Sequence, residues 1–371
     1  MKTTRIVLYA LTFAVLGCSS ADDTLSVLDQ GSTKVIAGPP TCDDCRISFR
    51  PVALLGDNNA PTSPREDAAL RGCMVGQLST GEYVLSGSVG GGTVVIYDSA
   101  GSYVRSFGRR GEGPGEFGRS LRVVIGPNDS IIVADDSRGR VNVLTRNGDF
   151  VRDYRVPLLS GQDFALLAGG VMAFFFLPEE HSDPLVRLLD PLGVERRRIG
   201  RVTMDRPQDE GWVLSPARDG GLWMGNGWKY ELQHWDTLAA LKRTIIRDVD
   251  WFPPWDGRPR PEGIFEQVAP PPFLLHVWED TSNRLWIYSL VPDPQWRPGG
   301  SPPLEAEWAR ETYDMVVEVL DLDAGRPLAE TRIEHLGRVC GSPLMYDVVY
   351  SAEGDTRVPI LEPVLTLPPK S

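Results

Sequence analysis

Cysteine, histidine, carboxylate and tryptophan are the residues from which this 371-residue chain could build chemistry. Cys42-Asp43-Asp44-Cys45 has the spacing of a dithiol redox motif. Two carboxylates between the thiols oppose thiolate formation, and no strand-helix-strand pattern surrounds them, so a local structural disulfide is the favoured reading. A metal site needs a second Cys or His pair at similar spacing, and His181, His234, His276 and His335 stand apart from one another. No Gly-x-Ser-x-Gly elbow occurs. Glu82, Asp129, Asp219 and Asp280 could serve a divalent ion only if a fold drew several of them together, and each has a turn-like context. The sequence therefore assigns no catalytic, cofactor-binding or metal-binding residue, and no cofactor.

All ten tryptophans fall between Trp212 and Trp308. Trp223, Trp235, Trp278 and Trp286 sit on strand patterns, which predicts packing between sheets. Trp251, Trp255 and Trp296 lie in Pro-rich segments without strand character. They are the candidates for an aromatic surface that stacks on a sugar or grips a peptide.

The elements that would position these residues are strands. Thr93–Gly108 reads as two strands joined by a turn and Arg122–Tyr154 as a run of short strands separated by turns, and they bracket the Gly-rich link Gly108–Phe117. Gly101 in DSAGSYV and Gly148 in TRNGDFV hold the same place 47 residues apart, and Gly193 follows 45 residues later. Four short strands recurring at that period are the signature of propeller blades. The GxxGxGPGEF link ahead of RVVIGPNDSIIVAD resembles the six-bladed, NHL-like propellers of bacterial lipoproteins, most strongly over Val84–Tyr154. The resemblance implies a fold and is nearly silent on chemistry. A glycine run before a strand is a turn, because a phosphate cradle needs a helix N-terminus after it. Asp135, Asp136, Arg138 and Arg140 read as a solvated, mutually paired turn.

The expected fold is all-β: a six-bladed β-propeller of four-stranded antiparallel blades. The repeats begin near Cys73, Leu121, Phe164, Trp212, Phe273 and Cys340. The last is one strand short, so residues 46–57 are expected beside the Val358–Leu367 region, closing the ring. Blades one and six are then neighbours, and Cys73 and Cys340 are expected to pair across the seam, leaving Cys42 and Cys45 to pair locally or stay free. LEAEWARETYDM reads as the one short helix outside the leader.

Lys2 and Arg5 precede an apolar run from Ile6 to Leu16 that ends at Cys18, the pattern of a lipoprotein leader. This divides the chain into a signal over 1–17, a lipidated Cys18 with a flexible tether over 18–45, and the propeller over 46–371. Ser19 after the cysteine, by analogy with enteric bacteria, points to the outer membrane. The chain carries a net charge of −12, and losing Lys2 and Arg5 with the leader takes it to −14. That balance excludes nucleic-acid binding through phosphates and leaves the lipid as the membrane contact. The expected function is a lipid-anchored envelope module that binds a protein, peptide or glycan and is not an enzyme. The rival is a metal-dependent hydrolase or lyase at the central channel.

Overall fold

The structure is a computed structural model. It describes residues 31–56, 60, 74–86, 91–119, 121–156, 164–175, 186–200, 212–253, 268–297, 312–334, 337–339, 343–350 and 355–368.

The chain folds as a six-bladed all-β propeller. Blade one holds Val75–Gln77, Tyr83–Leu85, Val94–Tyr97 and Tyr103–Phe107, and blade two Leu121–Ile125, Ile131–Asp135, Arg140–Leu144 and Phe150–Arg155. Blade three holds Phe164–Leu166, Met172–Phe175, Val186–Leu189 and Glu195–Ile199, and blade four Trp212–Pro216, Leu222–Asn226, Glu231–Trp235 and Leu241–Asp248. Blade five holds Phe273–Glu279, Arg284–Pro292, Tyr313–Asp321 and Arg326–Ile333. In each, successive strands pair antiparallel from the axis outward. Blade six runs Arg338–Val339, Met345–Tyr346, Thr356–Thr366 and then Arg46–Leu55, so its outer strand comes from the N-terminal side. The register places Arg46 opposite Thr366 and Leu55 opposite Val358.

Burial explains the strand chemistry. Inner strands are covered on both faces by neighbouring blades, so Ile131–Asp135 is buried throughout and its first four residues are a continuous apolar run. The outer strand Phe150–Arg155 touches the core on one face and alternates polar with partly buried residues. The cores lie between blades. Val84, Val94, Ile96, Phe117, Val123, Ile131 and Val133 fill the seam between blades one and two.

The repeated glycine has a structural reason. Gly101, Gly148 and Gly193 close the third hairpins of blades one to three with φ of 97°, 90° and 80°, a left-handed backbone that a side chain disfavours. Each also lies against the outer strand of the preceding blade: Leu54, Phe107 and Tyr154 respectively. A Cβ at these positions would sit 2.3–2.5 Å from the backbone oxygen of Leu54 or the rings of Phe107 and Tyr154. Gly101 on Leu54 joins blade one to blade six. In blade four the same place is Ala239, at φ 62°, within the same pattern: its N–H donates to Asp236 O, and the N–H of Asp236 donates to Ala240 O.

Two sequence expectations are corrected. The tether over 18–45 is not a free linker through its described part. Ser32–Ala37 pairs in parallel with Leu241–Asp248 as a fifth strand of blade four. Thr41 then donates its N–H to Pro327 O on blade five (3.0 Å), and Cys42 and Cys45 are disulfide-bonded with Cα atoms 5.4 Å apart. Only Ile36 of the strand is buried, so it carries no alternation by which sequence could reveal it. Of LEAEWARETYDM, residues 304–311 lie outside the described residues, and Tyr313–Met315 belong to a strand that pairs with Leu290–Pro292.

Candidate functional site

A cavity of about 500 Å³ lies on the ring axis. Val75–Ser79 of blade one, Val123–Ile125 and Asp129 of blade two, Phe164–Leu166 of blade three, Leu214 and Pro216 of blade four, and Pro343, Leu344 and Glu362 of blade six line it. The wall is mainly aliphatic because innermost strands present their apolar residues to the axis as well as to the seams. Polar groups collect where the inner strands turn into their first hairpins. Asp129 there sits at φ 58° and accepts the N–H (2.8 Å) and hydroxyl (2.6 Å) of Ser79, bridging blades one and two. Those bonds hold its pKa below the ordinary carboxylate value. Glu362 accepts the Arg50 guanidinium, and Gln77 is exposed toward the opening.

The first and third hairpins share this face. Gly220 of the first hairpin of blade four lies against Thr237 of the third, and Gly81 lies against Ser99 in blade one. The cavity therefore opens on the hairpin face. The second connections and the blade-to-blade links form the other face.

The carboxylates singled out from sequence are dispersed. Glu82 pairs with Arg105 (2.7 Å), and the Arg105 hydrogen bond lowers its pKa against the cost of burial. Asp280 closes a turn in blade five, accepting the N–H of Ser282 and Arg284, the Arg284 guanidinium and Trp286 Nε1–H. Asp219 lies 3.2 Å from His234 Nε2, and the His234 ring stacks on Trp223 at 4.8 Å between centroids. His234 Nδ1 is buried with no partner among the described residues, so no nucleophile is assembled on it. Asp129 alone of the four borders the cavity. Among the described residues no three His, Cys, Asp or Glu side chains are placed to hold a metal ion.

Asp135 and Asp136 are paired but not solvated, which corrects the turn reading. Asp135 is fully buried, accepting Gly118 N–H (2.6 Å) and the Ser137 hydroxyl (2.6 Å), while Asp136 accepts buried Arg122 at 2.7 Å. The acceptors are used to fasten the Gly-rich link and the inner strand, contacts that strand patterns do not reveal. Arg138 lies 3.6 Å from Asp135, and Arg140 bonds Asp153 and Glu112 O.

Trp251 lies on the seam between blades four and five, donates Nε1–H to Glu330 (3.0 Å) and contacts the rings of Tyr230 and Phe252. Trp296 sits in a turn closed onto Asp293 O, at the second connection of blade five, on the face away from the cavity mouth. Trp223, Trp235 and Trp286 are buried between sheets and Trp278 is half-buried. Cys18, Cys73, Cys340 and Trp255 lie outside the described residues.

Sequence reasoning missed a buried charged cluster in the seam between blades four and five. Arg247 pairs with Glu318, and both side chains are fully buried. The guanidinium also donates to Ile36 O and to Gly38 O (2.8 Å), and Tyr230 OH donates to Glu318 (2.7 Å). Burial alone would lower the Arg247 pKa, and Glu318 overrides it so that the net direction is upward. Burial, then the negative charge of Glu318, raises the Tyr230 pKa far above its ordinary value. The cluster has every charge answered and no opening to the cavity, so it fastens the N-terminal strand to blades four and five. The one available signal was Arg247 and Glu318 standing among apolar strand residues.

No family model and no curated protein matches this chain. Solved structures match its fold. A Bacteroides fragilis protein described as exported has a TM-score of 0.58 at 12% identity, covering 90% of this chain and 100% of its own. A member of the DUF4221 family from Bacteroides vulgatus has a TM-score of 0.59 at 11% identity, covering 87% of this chain and 99% of its own. At such identities the likeness is one of fold. A streptogramin B lyase matches at a TM-score of 0.43 and carries no argument.

Proposed function

We propose that this chain is an exported, lipid-anchored propeller of the NHL-like kind that binds a peptide segment of a partner protein in its axial cavity. The observation that carries the reading is the cavity itself. Its volume falls in the range of ligand sites, its wall is aliphatic, and a few polar groups stand at the mouth, which is how a site grips an apolar side chain while orienting a backbone. Asp129 and Glu362 at the rim favour a segment with amide or basic groups flanking the apolar residue. Glycan stacking is less well supported, since Phe164 is the aromatic in the wall and Trp251 and Trp296 lie elsewhere. Export is supported by the leader ending at Cys18, by the Cys42–Cys45 disulfide, which persists in oxidising compartments, and by the exported Bacteroides fragilis neighbour.

Selection of a random peptide library and of a glycan array against the mature chain tests this. The expected result is enrichment of peptides with an apolar residue beside Lys, Arg, Asn or Gln. Enrichment of glycans alone, or of nothing, would remove the peptide reading.

A further inference from the structure

The hairpin face carries a second surface, on the rim of blades three and four. The three most exposed large apolar side chains among the described residues are Leu192 (69%), Leu238 (66%) and Val35 (59%). Leu192 and Leu238 occupy the same place in the third hairpins of adjacent blades, one residue before Gly193 and Ala239. Arg197 of the outer strand of blade three donates to Leu238 O, which sets the second turn on the first blade. Val35, on the parallel strand at the outer edge of blade four, stands opposite Ile246 and so lies toward the other end of that strand, away from the two leucines. Leucines at turn tips cover no core here, and their exposure costs solubility unless something covers them.

Charge runs the same way. Residues 186–199 and 236–243 carry six cations (Arg187, Arg196, Arg197, Arg198, Lys242, Arg243) against three carboxylates (Asp190, Glu195, Asp236), a local surplus of three positive charges on a chain of net −12. Arg196 pairs with Asp190, Arg198 with Glu195 and Lys242 with Asp236 at 3.9 Å. In each pair the cation is the more exposed member, so its outer side can also meet other anions.

The chain also enters the ring beside this rim. Gly31 lies against Leu241, and Ser32 stands opposite Arg243. Gly31 lies thirteen positions after Cys18, a span of at most about 45 Å. A lipid at Cys18 would therefore tether the chain to a bilayer from the side of this rim.

We propose that this rim is a bilayer-contact surface. Its arginines and Lys242 meet anionic lipid headgroups while Leu192 and Leu238 enter the interface, and the cavity mouth on the same face is thereby turned toward the membrane. A tether alone leaves the orientation of the ring open, and a cationic, apolar patch supplies the contact that fixes it against an anionic surface. The proposal rests on the lipid-anchor reading for its cellular setting, and it alters the sequence expectation that the lipid is the sole membrane contact.

The test uses the mature chain held by a hexahistidine tag at position 18 on nickel-chelating vesicles containing phosphatidylglycerol, so it does not require lipidation. A fluorescent amino acid is placed at exposed Thr237 on the hairpin face or at exposed Gln295 on the other, and lipids with nitroxide headgroups quench it. The expected result is quenching about twofold or more stronger at Thr237, a difference lost in Leu192→Glu/Leu238→Glu and reduced in Arg196→Gln/Arg197→Gln. Equal quenching at the two sites, or a difference that survives Leu192→Glu/Leu238→Glu, overturns the proposal. Thermal unfolding of each variant confirms folding, and the mass of the native mature N-terminus tests lipidation separately.

Discussion

The seam between blades one and two and the seam between blades four and five solve one problem with different chemistry. The first is filled by aliphatic and aromatic side chains, with Phe117 of the Gly-rich link completely buried among them. The second has an apolar core as well, yet at its outer edge a buried arginine donates to the carbonyls of Ile36 and Gly38, on and just past an added strand, while a glutamate that also accepts a tyrosine hydroxyl holds that arginine in place. Apolar packing is non-directional and suits copies of one repeat. The added strand is not a copy of anything in the ring, and its place is specified by directional, charge-assisted bonds.

That contrast predicts unequal consequences of mutation. Glu318→Gln should have the largest effect, lowering stability by about 3–5 kcal/mol, because Arg247 is left buried without its counter-charge. Chemical denaturation measures it, and proteolysis should cut near residues 38–45 before the ring unfolds. Equal loss in Arg247→Met/Glu318→Leu would show that packing, not pairing, matters there.

Val133→Ala in the aliphatic seam should cost roughly 2 kcal/mol, a transfer and cavity effect, and the loss should be the same at pH 5 and pH 8. A pH-dependent loss at Val133 would break the distinction between the seams.

Blade five gives an intermediate case. His276 is buried opposite Tyr288, and burial drives its pKa down to about 3 from an ordinary 6.5. Its Nε2 has no partner among the described residues. The native state therefore holds His276 neutral while the unfolded chain protonates it. Stability is fully present above about pH 6.5 and declines as pH falls toward 3. The loss at pH 5 should be about 2 kcal/mol. His276→Phe should remove that part of the acid limb in urea titrations at pH 5 and pH 7.5, while an unchanged limb would show that His276 is hydrated in the native state.

The smallest effect should be a gain. Ala239 holds the left-handed backbone that glycine holds in blades one to three, so Ala239→Gly should stabilise by roughly 0.5–1 kcal/mol, read as a higher melting temperature. Gly193→Ala, whose Cβ would meet the Tyr154 ring, should do the opposite.

The pattern of what was legible follows from these chemistries. The 47- and 45-residue spacing of Gly101, Gly148 and Gly193 reports a turn that every repeat must make, so the six blades and their approximate limits could be read from periodicity. The pairing of residues 46–55 with 356–366 could be read because blade six was one strand short. Strand Ser32–Ala37 could not, since one buried residue leaves no pattern. Nor could the cavity: Gln77, Asp129 and Glu362 are far apart in sequence, and only closure of the ring brings them to one mouth. Trp251 attracted attention by type, whereas its position was set by Glu330 and Tyr230, contacts that composition does not encode.

The central claim is that the axial cavity grips a peptide, and Gln77→Trp tests it most directly. Gln77 is exposed at the mouth, so the substitution places an indole across the opening without disturbing a seam. Titration calorimetry with a library-selected peptide is the measurement. The account predicts at least about tenfold weaker binding to Gln77→Trp at unchanged thermal stability, and undiminished affinity would contradict it.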